Sequence, residues 1–319
     1  MKAIVRTQYG SQDVLQFVEV AMPSPADNEV LIKLCGASVN PLDLFLIKGA
    51  PWNRFPGMRT PKHKVIGCDI AGRVEALGKN VTQFRPGDEV FGVTGFGGNG
   101  FAEYVCAMGA KIALKPANLS FEDAAAVPIA ASTALQGLRD KGKIRPGQKV
   151  LIDGASGGVG TFAVQLAKAF GAEVTAVCST RNIETARSLG ADHVLDYTRV
   201  DFTESGQRYD LILAANARHS LLAYRRTLAP NGFYVMAGGL LTQMFEAFLL
   251  GPLLSRIGRK KMGFFLANVN QRDLSFLKEL LEATKIVSVI DKRYPLSDAA
   301  DALRYLAEGH AQGKVVLTV

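Results

Sequence analysis

A glycine-dense turn between an apolar segment and a helical segment constrains the fold of this chain more than any other feature. Residues 150–153 lead into the turn, and a helical pattern follows over residues 161–170. The turn consists of Gly154, Ala155, Ser156, Gly157, Gly158, Val159 and Gly160, with Ala155 where the strict G-x-G-x-x-G pattern begins with glycine. Glycines let backbone N–H groups approach a pyrophosphate, and the helix dipole favours its charge. Because a second strand follows at the expected spacing, the turn predicts a dinucleotide-binding site.

The sequence after residue 120 alternates between strand-like and helical segments. Ser120, followed by acidic Glu122 and Asp123, is typical of a helix N-cap. The strand-like segments are residues 149–153, 173–177, 193–196, 210–214 and 232–237, and the helical segments between them are 161–170, 184–189 and 220–228. Gly171 and Gly190 follow two of these helices as C-terminal caps. This alternation predicts a doubly wound parallel sheet in an α/β protein.

The segments on either side of this α/β region are rich in strand patterns. Apolar or alternating runs separated by turns occupy residues 3–6, 17–20, 29–37, 70–77, 89–92 and 101–106. The C-terminal part predicts strands at 262–267, 287–293 and 314–319 and helices at 272–283 and 297–308. This part is too short to build a core of its own. We therefore expect residues 1–122 and 268–319 to form one domain, with a dinucleotide-binding domain at 123–267 inserted between them.

Length and composition exclude several classes of protein. The chain has 319 residues, of which 48% are hydrophobic, so it can bury a core in each of two domains and is not a disordered chain. Its four cysteines form no C-x-x-C pair, which argues against a disulfide framework. The longest apolar stretch, residues 244–257, is interrupted by Glu246 and by Gly251 and Pro252, and it is too short to cross a bilayer. Because no secretory signal pattern is present, we expect a cytoplasmic protein.

The net charge of +8 favours anionic partners in general. Basic and acidic residues are mostly interspersed, and no basic stripe alternates with aromatic residues, so we expect no nucleic-acid partner. The exception is residues 240–261, where an apolar face precedes the basic residues Arg256, Arg259, Lys260 and Lys261. This segment is compatible with a lid or dimer-interface element, with a helix packed on the α/β core, and with an interfacial helix on an anionic membrane. Of these alternatives, we expect membrane contact least.

The end of the second strand of the α/β segment indicates which dinucleotide is bound. An NAD-preferring site has an Asp or Glu there to accept from the ribose hydroxyls. This strand is instead followed by Ser179, Thr180 and Arg181, which offer hydroxyl donors and a guanidinium suited to a phosphate. The pattern favours NADPH, with the alternative that these residues only cap the next helix.

Several ordered motifs resemble those of the zinc-independent quinone oxidoreductases of the medium-chain dehydrogenase/reductase superfamily. They are residues 40–43 (NPLD), 67–72 (GCDIAG), 84–90 (FRPGDEV), 131–135 (ASTAL), the glycine turn, 188–192 (SLGAD) and 309–316 (GHAQGKVV). Without the other motifs, residues 40–43 would be interpreted as an ordinary Asx turn. The resemblance implies a GroES-like β-barrel catalytic domain, a Rossmann domain, and a homodimer formed through the strand 262–267.

The same resemblance implies roles for individual residues. Asn40 would lie at the nicotinamide and the substrate, and Thr133 would contact the nicotinamide side of the cofactor. Tyr197 would lie beside the 2′-phosphate together with Ser179 and Arg181. The remaining implied cofactor contacts are Gly238, Gly239, Phe265, Leu266 and Lys314.

The zinc ligands of the related alcohol dehydrogenases are missing from the sequence. Asn40 and Cys68 stand where those enzymes have ligands, and residues 91–104 lack the four cysteines of their structural zinc lobe. We therefore expect no metal. Without a Lewis acid, an acceptor that takes hydride readily is favoured, such as a quinone or an α,β-unsaturated carbonyl.

Two departures from the family pattern leave alternatives open. Residues 45–52 contain no tyrosine, so no side chain is an obvious general acid, and Asn182 stands where some relatives carry lysine. The apolar segment 240–261 would also suit an enoyl reductase acting on a lipid or carrier-linked substrate. A non-catalytic NADPH-binding redox sensor is the alternative outside enzymes.

Overall fold

The computed structural model describes residues 1–49, 60–61, 63–95, 98–239 and 241–319, apart from the side chains of residues 241, 242, 244 and 245. Residues 50–52 of the tyrosine-free segment 45–52 and residue 240 of the apolar segment 240–261 therefore lie outside the described part. The described residues form two compact units, one of Met1–Ile129, Val269–Thr284 and Ser288–Val319, the other of Ala130–Asn268 and Lys285–Val287. The domain limits at 122 and 267 stay a prediction.

Strands dominate the N-terminal third of the chain. In order these elements are β1 (Lys2–Arg6), β2 (Leu15–Glu19), β3 (Glu29–Val39), α1 (Pro41–Lys48), β4 (Asp69–Leu77), β5 (Glu89–Val93), β6 (Tyr104–Met108), β7 (Ile112–Leu114) and α2 (Phe121–Ala125). The middle of the chain holds α3 (Pro128–Leu135), β8 (Lys149–Asp153), α4 (Gly158–Ala169), β9 (Glu173–Cys178), α5 (Ile183–Ser188), β10 (His193–Asp196), β11 (Tyr209–Ala214), α6 (Leu221–Thr227), β12 (Leu228–Met236), α7 (Leu241–Leu254) and β13 (Lys261–Phe264). The C-terminal elements are α8 (Gln271–Glu282), β14 (Ile290–Pro295), α9 (Ala299–Ala307) and β15 (Lys314–Thr318).

The second unit contains the predicted doubly wound sheet. Within the described residues its strands have the order β10-β9-β8-β11-β12-β13, and all neighbours are parallel. This is the Rossmann order, in which the glycine turn follows the central strand β8. Gly171 and Gly190, predicted as helix caps, adopt φ values of +78° and +99°, which a residue without a Cβ adopts freely.

The last strand of this sheet is shorter than predicted. Its pairing ends where Met236 meets Phe264, because the neighbouring strand β12 ends at Met236. Phe265 and Leu266 therefore lie beyond β13 rather than in it, which corrects the predicted strand at 262–267. The homodimer through this edge strand stays a prediction.

The first unit is rich in strands, as the resemblance implies for the catalytic domain. The long strand β3 pairs antiparallel with β4, β6 and β15, and its register sets Ser38 opposite Asp69 and Val39 opposite Val315. Residues 40–43, for which an ordinary Asx turn was the alternative interpretation, form the N-terminus of a helix. Asn40 is the N-cap of α1, Pro41 holds the first helical position, and Asp43 Oδ2 accepts a hydrogen bond from the Asn40 backbone N–H.

Candidate functional site

The glycine turn of the second unit has the local geometry of a phosphate-binding loop. Gly154 adopts a φ of +80°, and a Cβ on Gly160 would lie 2.0 Å from the Gly154 carbonyl oxygen, so neither position accepts a side chain readily. Gly157 is the N-cap of α4 and provides no side-chain cap for the first-turn N–H groups. A Cβ on Gly157 would meet only the Gly154 carbonyl oxygen, 3.7 Å away. The space beside these N–H groups is open, and it suits a pyrophosphate.

The turn is tied to the strands on either side of it. The Ala155 N–H donates to the Val177 carbonyl oxygen of β9 over 3.0 Å. Asp153, the last residue of β8, is buried and accepts a hydrogen bond from the Tyr224 hydroxyl. Burial raises the pKa of Asp153 to about 6. This pair, which the sequence analysis did not identify, joins α6 to the strand that carries the glycine turn.

The residues after β9 include an acidic neighbour that the sequence did not indicate. Asp196 ends β10 and pairs in register with Cys178, so it lies beside the predicted phosphate residues. Its carboxylate accepts hydrogen bonds from the hydroxyls of Thr180 and Thr198, and these bonds lower the pKa of Asp196. The Thr180 hydroxyl, predicted as a cofactor contact, therefore binds within the protein. Asn182 is also turned inward, since its amide donates to Ser179 Oγ over 3.1 Å.

A second arginine lies next to one of the predicted 2′-phosphate residues. The guanidinium of Arg218 stacks over the exposed ring of Tyr197, with 4.8 Å between its carbon and the ring centroid. Arg218 follows β11, the strand next to β8, and the sequence analysis did not identify it. The guanidinium of Arg218 and the hydroxyl of Tyr197 favour binding of a ligand with an anionic substituent.

The other predicted cofactor contacts of the second unit lie on or after the elements α3, β12 and β13. Thr133 is nearly buried on α3, and Gly238 and Gly239 follow β12, where a Cβ on Gly238 would lie 2.4 Å from the Ala215 carbonyl oxygen. Phe265 is buried with its ring near Gly137, whereas Leu266 is exposed.

The first unit contains a buried polar cluster of Ser38, Asn40, Asp69 and Lys314. Asp69 Oδ2 accepts hydrogen bonds from Ser38 Oγ and Asn40 Nδ2, each over 2.9 Å, and Asp69 Oδ1 accepts from the Ile129 N–H. The Lys314 ammonium lies 2.7 Å from Asn40 Oδ1, 3.3 Å from the Val39 carbonyl oxygen and 3.4 Å from Asp69 Oδ2. Sequence reasoning singled out Asn40 and Lys314 but assigned no role to Asp69 or Ser38.

This cluster fixes the orientation of the Asn40 amide. The Nδ2 group donates to Asp69 and to the Ser38 carbonyl oxygen, and Oδ1 accepts from Lys314. Because both N–H bonds of the amide are directed into the protein, Asn40 can offer a ligand only the second lone pair of Oδ1. The Lys314 ammonium donates to Asn40 Oδ1 and is itself held by the Val39 carbonyl oxygen and Asp69 Oδ2, so it positions the Asn40 amide.

Asp43 gives the first unit a distinctive pH dependence. Burial raises the pKa of this carboxyl from 3.8 to about 7. At pH values between 3.8 and about 7, Asp43 is deprotonated in the unfolded chain but still protonated in the folded chain. The free energy of unfolding therefore falls as the pH rises through this range. We expect the free energy of unfolding to fall by about 2 kcal/mol between about pH 5 and pH 7, relative to the variant Asp43→Asn. Urea unfolding across this range tests the prediction, with exposed Asp27→Asn as the control, and parallel curves for wild type and Asp43→Asn would contradict it.

The described residues provide no group of three or more His, Cys, Asp or Glu side chains that could hold a metal ion. Cys68 is buried, and burial raises the pKa of its thiol, which opposes the thiolate form that zinc requires. The donor set in the described part of the chain therefore does not fit zinc. In the same part, no helix is both long enough and apolar enough to cross a membrane.

Comparison with known proteins gives matches in both units. A family model described as an alcohol dehydrogenase GroES-like domain matches residues 26–117, and one described as a zinc-binding dehydrogenase matches residues 189–317. The chain is 34% identical to a chloroplast envelope quinone oxidoreductase homolog of Arabidopsis thaliana, over 99% of this chain and 98% of that protein. It is 36% identical to a 2-methylene-furan-3-one reductase of Solanum lycopersicum, over 99% of this chain and 79% of that protein. The solved structure of the quinone oxidoreductase from Coxiella burnetii is similar with a TM-score of 0.87 and 31% identity, over 100% of this chain and 99% of that one.

Proposed function

The chain belongs to the quinone oxidoreductase family of the medium-chain dehydrogenase/reductase superfamily, and from this premise we propose that it transfers hydride from NADPH to a quinone or an α,β-unsaturated carbonyl. It is an oxidoreductase that uses a nicotinamide cofactor. The observation that carries the proposal is the uncapped glycine turn at the N-terminus of α4, where first-turn N–H groups border open space. A bound nicotinamide supplies the hydride, and the protein's part is to bind, orient and shield.

The proposed cofactor site uses the residues after β9 to select the phosphorylated dinucleotide. Ser179 and Arg181 directly follow β9, and residues 179–182 contain no acidic residue. The Arg218 guanidinium stacks on the ring of Tyr197. Asp196 lies on the neighbouring strand opposite Cys178, but its oxygens already accept hydrogen bonds from Thr180 and Thr198. We therefore propose that a 2′-phosphate is recognised by Arg181, Ser179 and the Tyr197–Arg218 pair.

Replacing Arg181 with alanine is expected to weaken NADPH binding by about ten- to one-hundred-fold, since a hydrogen bond between charged groups contributes about 1.5–3 kcal/mol. NADH affinity should change little, because NADH has no 2′-phosphate. Fluorescence titration with both nucleotides measures the effect. The control is Arg187→Ala, which removes an exposed arginine of the neighbouring helix α5 that pairs with Glu184. Equal weakening of NADPH and NADH by Arg181→Ala would refute the proposed role.

The proposed acceptor chemistry rests on the fixed amide of Asn40 and the unsuitability of the described donor set for zinc. A carbonyl that needs strong polarisation is a poor acceptor without a Lewis acid, whereas quinones and conjugated carbonyls accept hydride readily. The names of the two relatives, a quinone oxidoreductase homolog and a methylene-furanone reductase, agree with this acceptor class. We propose that Asn40 Oδ1 accepts a hydrogen bond from the nicotinamide carboxamide, and that Thr133 is a second contact to the cofactor.

Three further elements of the account are predictions. The homodimer would use β13, which within the described residues is the edge of the parallel sheet. The cytoplasmic location also stays a prediction, since some relatives are named as chloroplastic or mitochondrial proteins. The proton that accompanies the hydride is expected to come from solvent, because Lys314 is held by its own protein acceptors.

A further inference from the structure

The segment that follows β11, residues 215–219, begins by bonding to the backbone of the strands on either side. The Ala215 N–H donates to the carbonyl oxygen of Asp153, the last residue of β8, over 2.9 Å. The Ala217 N–H donates over 3.2 Å to the carbonyl oxygen of Gly238, which follows β12. The first part of the segment is therefore held by the parallel sheet itself.

The next backbone N–H, that of Arg218, is bound by a side chain instead. It donates to the Tyr224 hydroxyl over 3.1 Å. The same hydroxyl donates its hydrogen to Asp153 Oδ2. Because a hydroxyl has a single hydrogen, this second bond leaves the oxygen lone pairs of Tyr224 for the Arg218 N–H. One oxygen atom therefore joins Arg218 to the residue that precedes the glycine turn.

The Tyr224 side chain is fixed within the core of the second unit. Tyr224 is fully buried on α6, and its ring centroid lies 4.6 Å from that of Tyr234 and 6.0 Å from that of Phe202. Asp153, which accepts from it, is buried as well. A buried polar group that loses its hydrogen-bond partner costs free energy. The hydroxyl is therefore held in one place by its ring contacts and by its two polar partners.

The Arg218 side chain reaches from the end of β11 to the end of β10. Its guanidinium stacks over the ring of Tyr197, and the Tyr197 N–H donates to the Cys178 carbonyl oxygen at the end of β9 over 3.1 Å. The strands β9 and β8 lie between β10 and β11 in the sheet. The stack therefore spans the carboxyl ends of the two strands that lead into the proposed 2′-phosphate residues and the glycine turn.

We propose that Tyr224 is a positioning residue for cofactor selection, which holds Arg218 where its guanidinium, stacked on Tyr197, binds the 2′-phosphate of NADPH. Tyr224 touches no ligand itself and acts through the Arg218 backbone N–H. Its effect rests on the proposed function, in which the Tyr197–Arg218 pair recognises the 2′-phosphate. A tyrosine that only filled the core would affect the binding of NADPH and NADH alike, whereas a residue that positions Arg218 affects NADPH selectively.

Replacing Tyr224 with phenylalanine removes the hydroxyl and keeps the ring. Calorimetric titrations are made at about pH 8, above the pKa of about 6 that burial gives Asp153. We expect NADPH affinity to fall about five-fold, the size of one hydrogen bond, and NADH affinity to change less than about two-fold. Adenosine 2′,5′-bisphosphate should be weakened as NADPH is, whereas AMP should not.

Tyr209→Phe is the matched control for a lost tyrosine hydroxyl. Tyr209 is buried in the same core cluster, and its hydroxyl donates to Gln207 Oε1 over 2.9 Å. This variant should keep the wild-type ratio of NADPH to NADH affinity. Thermal unfolding checks that both phenylalanine variants are folded.

A double-variant cycle distinguishes this inference from the proposed function. Arg218→Ala alone should weaken NADPH at least about ten-fold, and adding Tyr224→Phe should then cost less than about two-fold, because the positioned group is already gone. The positioning role is overturned, with 2′-phosphate recognition intact, if Arg218→Ala weakens NADPH selectively but Tyr224→Phe weakens both cofactors equally, weakens neither, or adds its full effect to Arg218→Ala. An unchanged cofactor preference in Arg218→Ala overturns the positioning role together with the proposed part of Arg218 in the site.

Discussion

Replacing Asp69 with alanine is expected to destabilise the protein by about 3–5 kcal/mol, a large share of the total stability of a domain. Asp69 is fully buried and accepts hydrogen bonds from Ser38, Asn40 and the Ile129 N–H. It is also the charge partner of Lys314, whose ammonium is 3.4 Å away and almost as deeply buried. The variant leaves this ammonium without a counter-charge, and an uncompensated buried charge is costly. Urea unfolding of wild type and variant measures the loss.

Two further variants make the Asp69 prediction specific. Asp27→Ala removes a carboxylate that pairs over 2.9 Å with Lys79 at the surface, and we expect it to cost less than about 1 kcal/mol. The double variant Asp69→Leu/Lys314→Met removes both charges, so it should be clearly more stable than Asp69→Ala. A loss for Asp69→Ala as small as that for Asp27→Ala would mean that the polar cluster does not hold the strands β3, β4 and β15 together.

Replacing Gly157 with valine is expected to weaken NADPH binding at least about one-hundred-fold while the protein remains folded. Gly157 has φ −81° and ψ 174°, which an L-residue adopts without strain. A side chain at this position would enter the open space beside the first turn of α4. A phosphate in that space would lose its close approach to at least two N–H groups, each contributing about 1.5–3 kcal/mol to a charged acceptor. Calorimetric titration with NADPH and thermal unfolding together test both parts of the prediction.

The controls for Gly157 come from two other glycines of the same unit. A Cβ on Gly263 in β13 would meet nothing within 4 Å of the same chain, so Gly263→Val should leave NADPH affinity unchanged. A Cβ on Gly160 would lie 2.0 Å from a backbone oxygen, so Gly160→Val should impair folding itself. A folded Gly157→Val protein that binds NADPH as wild type does would show that the turn is not the pyrophosphate site.

The parallel sheet and its glycine turn could be predicted because their signals are local. Apolar runs of five or six residues, the Ser120 N-cap and the glycines at 171 and 190 each act within a few residues of chain. The predicted strand 262–267 is too long because the end of this strand depends on where its neighbour β12 ends. The residues of the segment alone do not indicate the length of β12.

The polar cluster could be predicted only in part because it is assembled over long distances in sequence. Asn40 lies 29 residues from Asp69 and 274 from Lys314, and the antiparallel pairing of β3 with β4 and β15 brings them together. The family resemblance drew attention to Asn40 and Lys314, but nothing local to Asp69 indicates that its oxygens hold both of them. The stacking of Arg218 on Tyr197 was missed for the same reason, since the two residues follow different strands.

The central claim, that this protein is an NADPH-dependent reductase of quinones or conjugated carbonyls, is tested most directly by steady-state oxidation of NADPH. We would treat the protein with EDTA and supply 1,4-benzoquinone, 9,10-phenanthrenequinone or a short 2-alkenal, with NADH in parallel. The account predicts turnover that survives EDTA, favours NADPH over NADH and is greatest with one of these acceptor classes. Tight NADPH binding without turnover on any acceptor would contradict it, favouring a redox sensor or an enoyl reductase of a lipid or carrier-linked substrate.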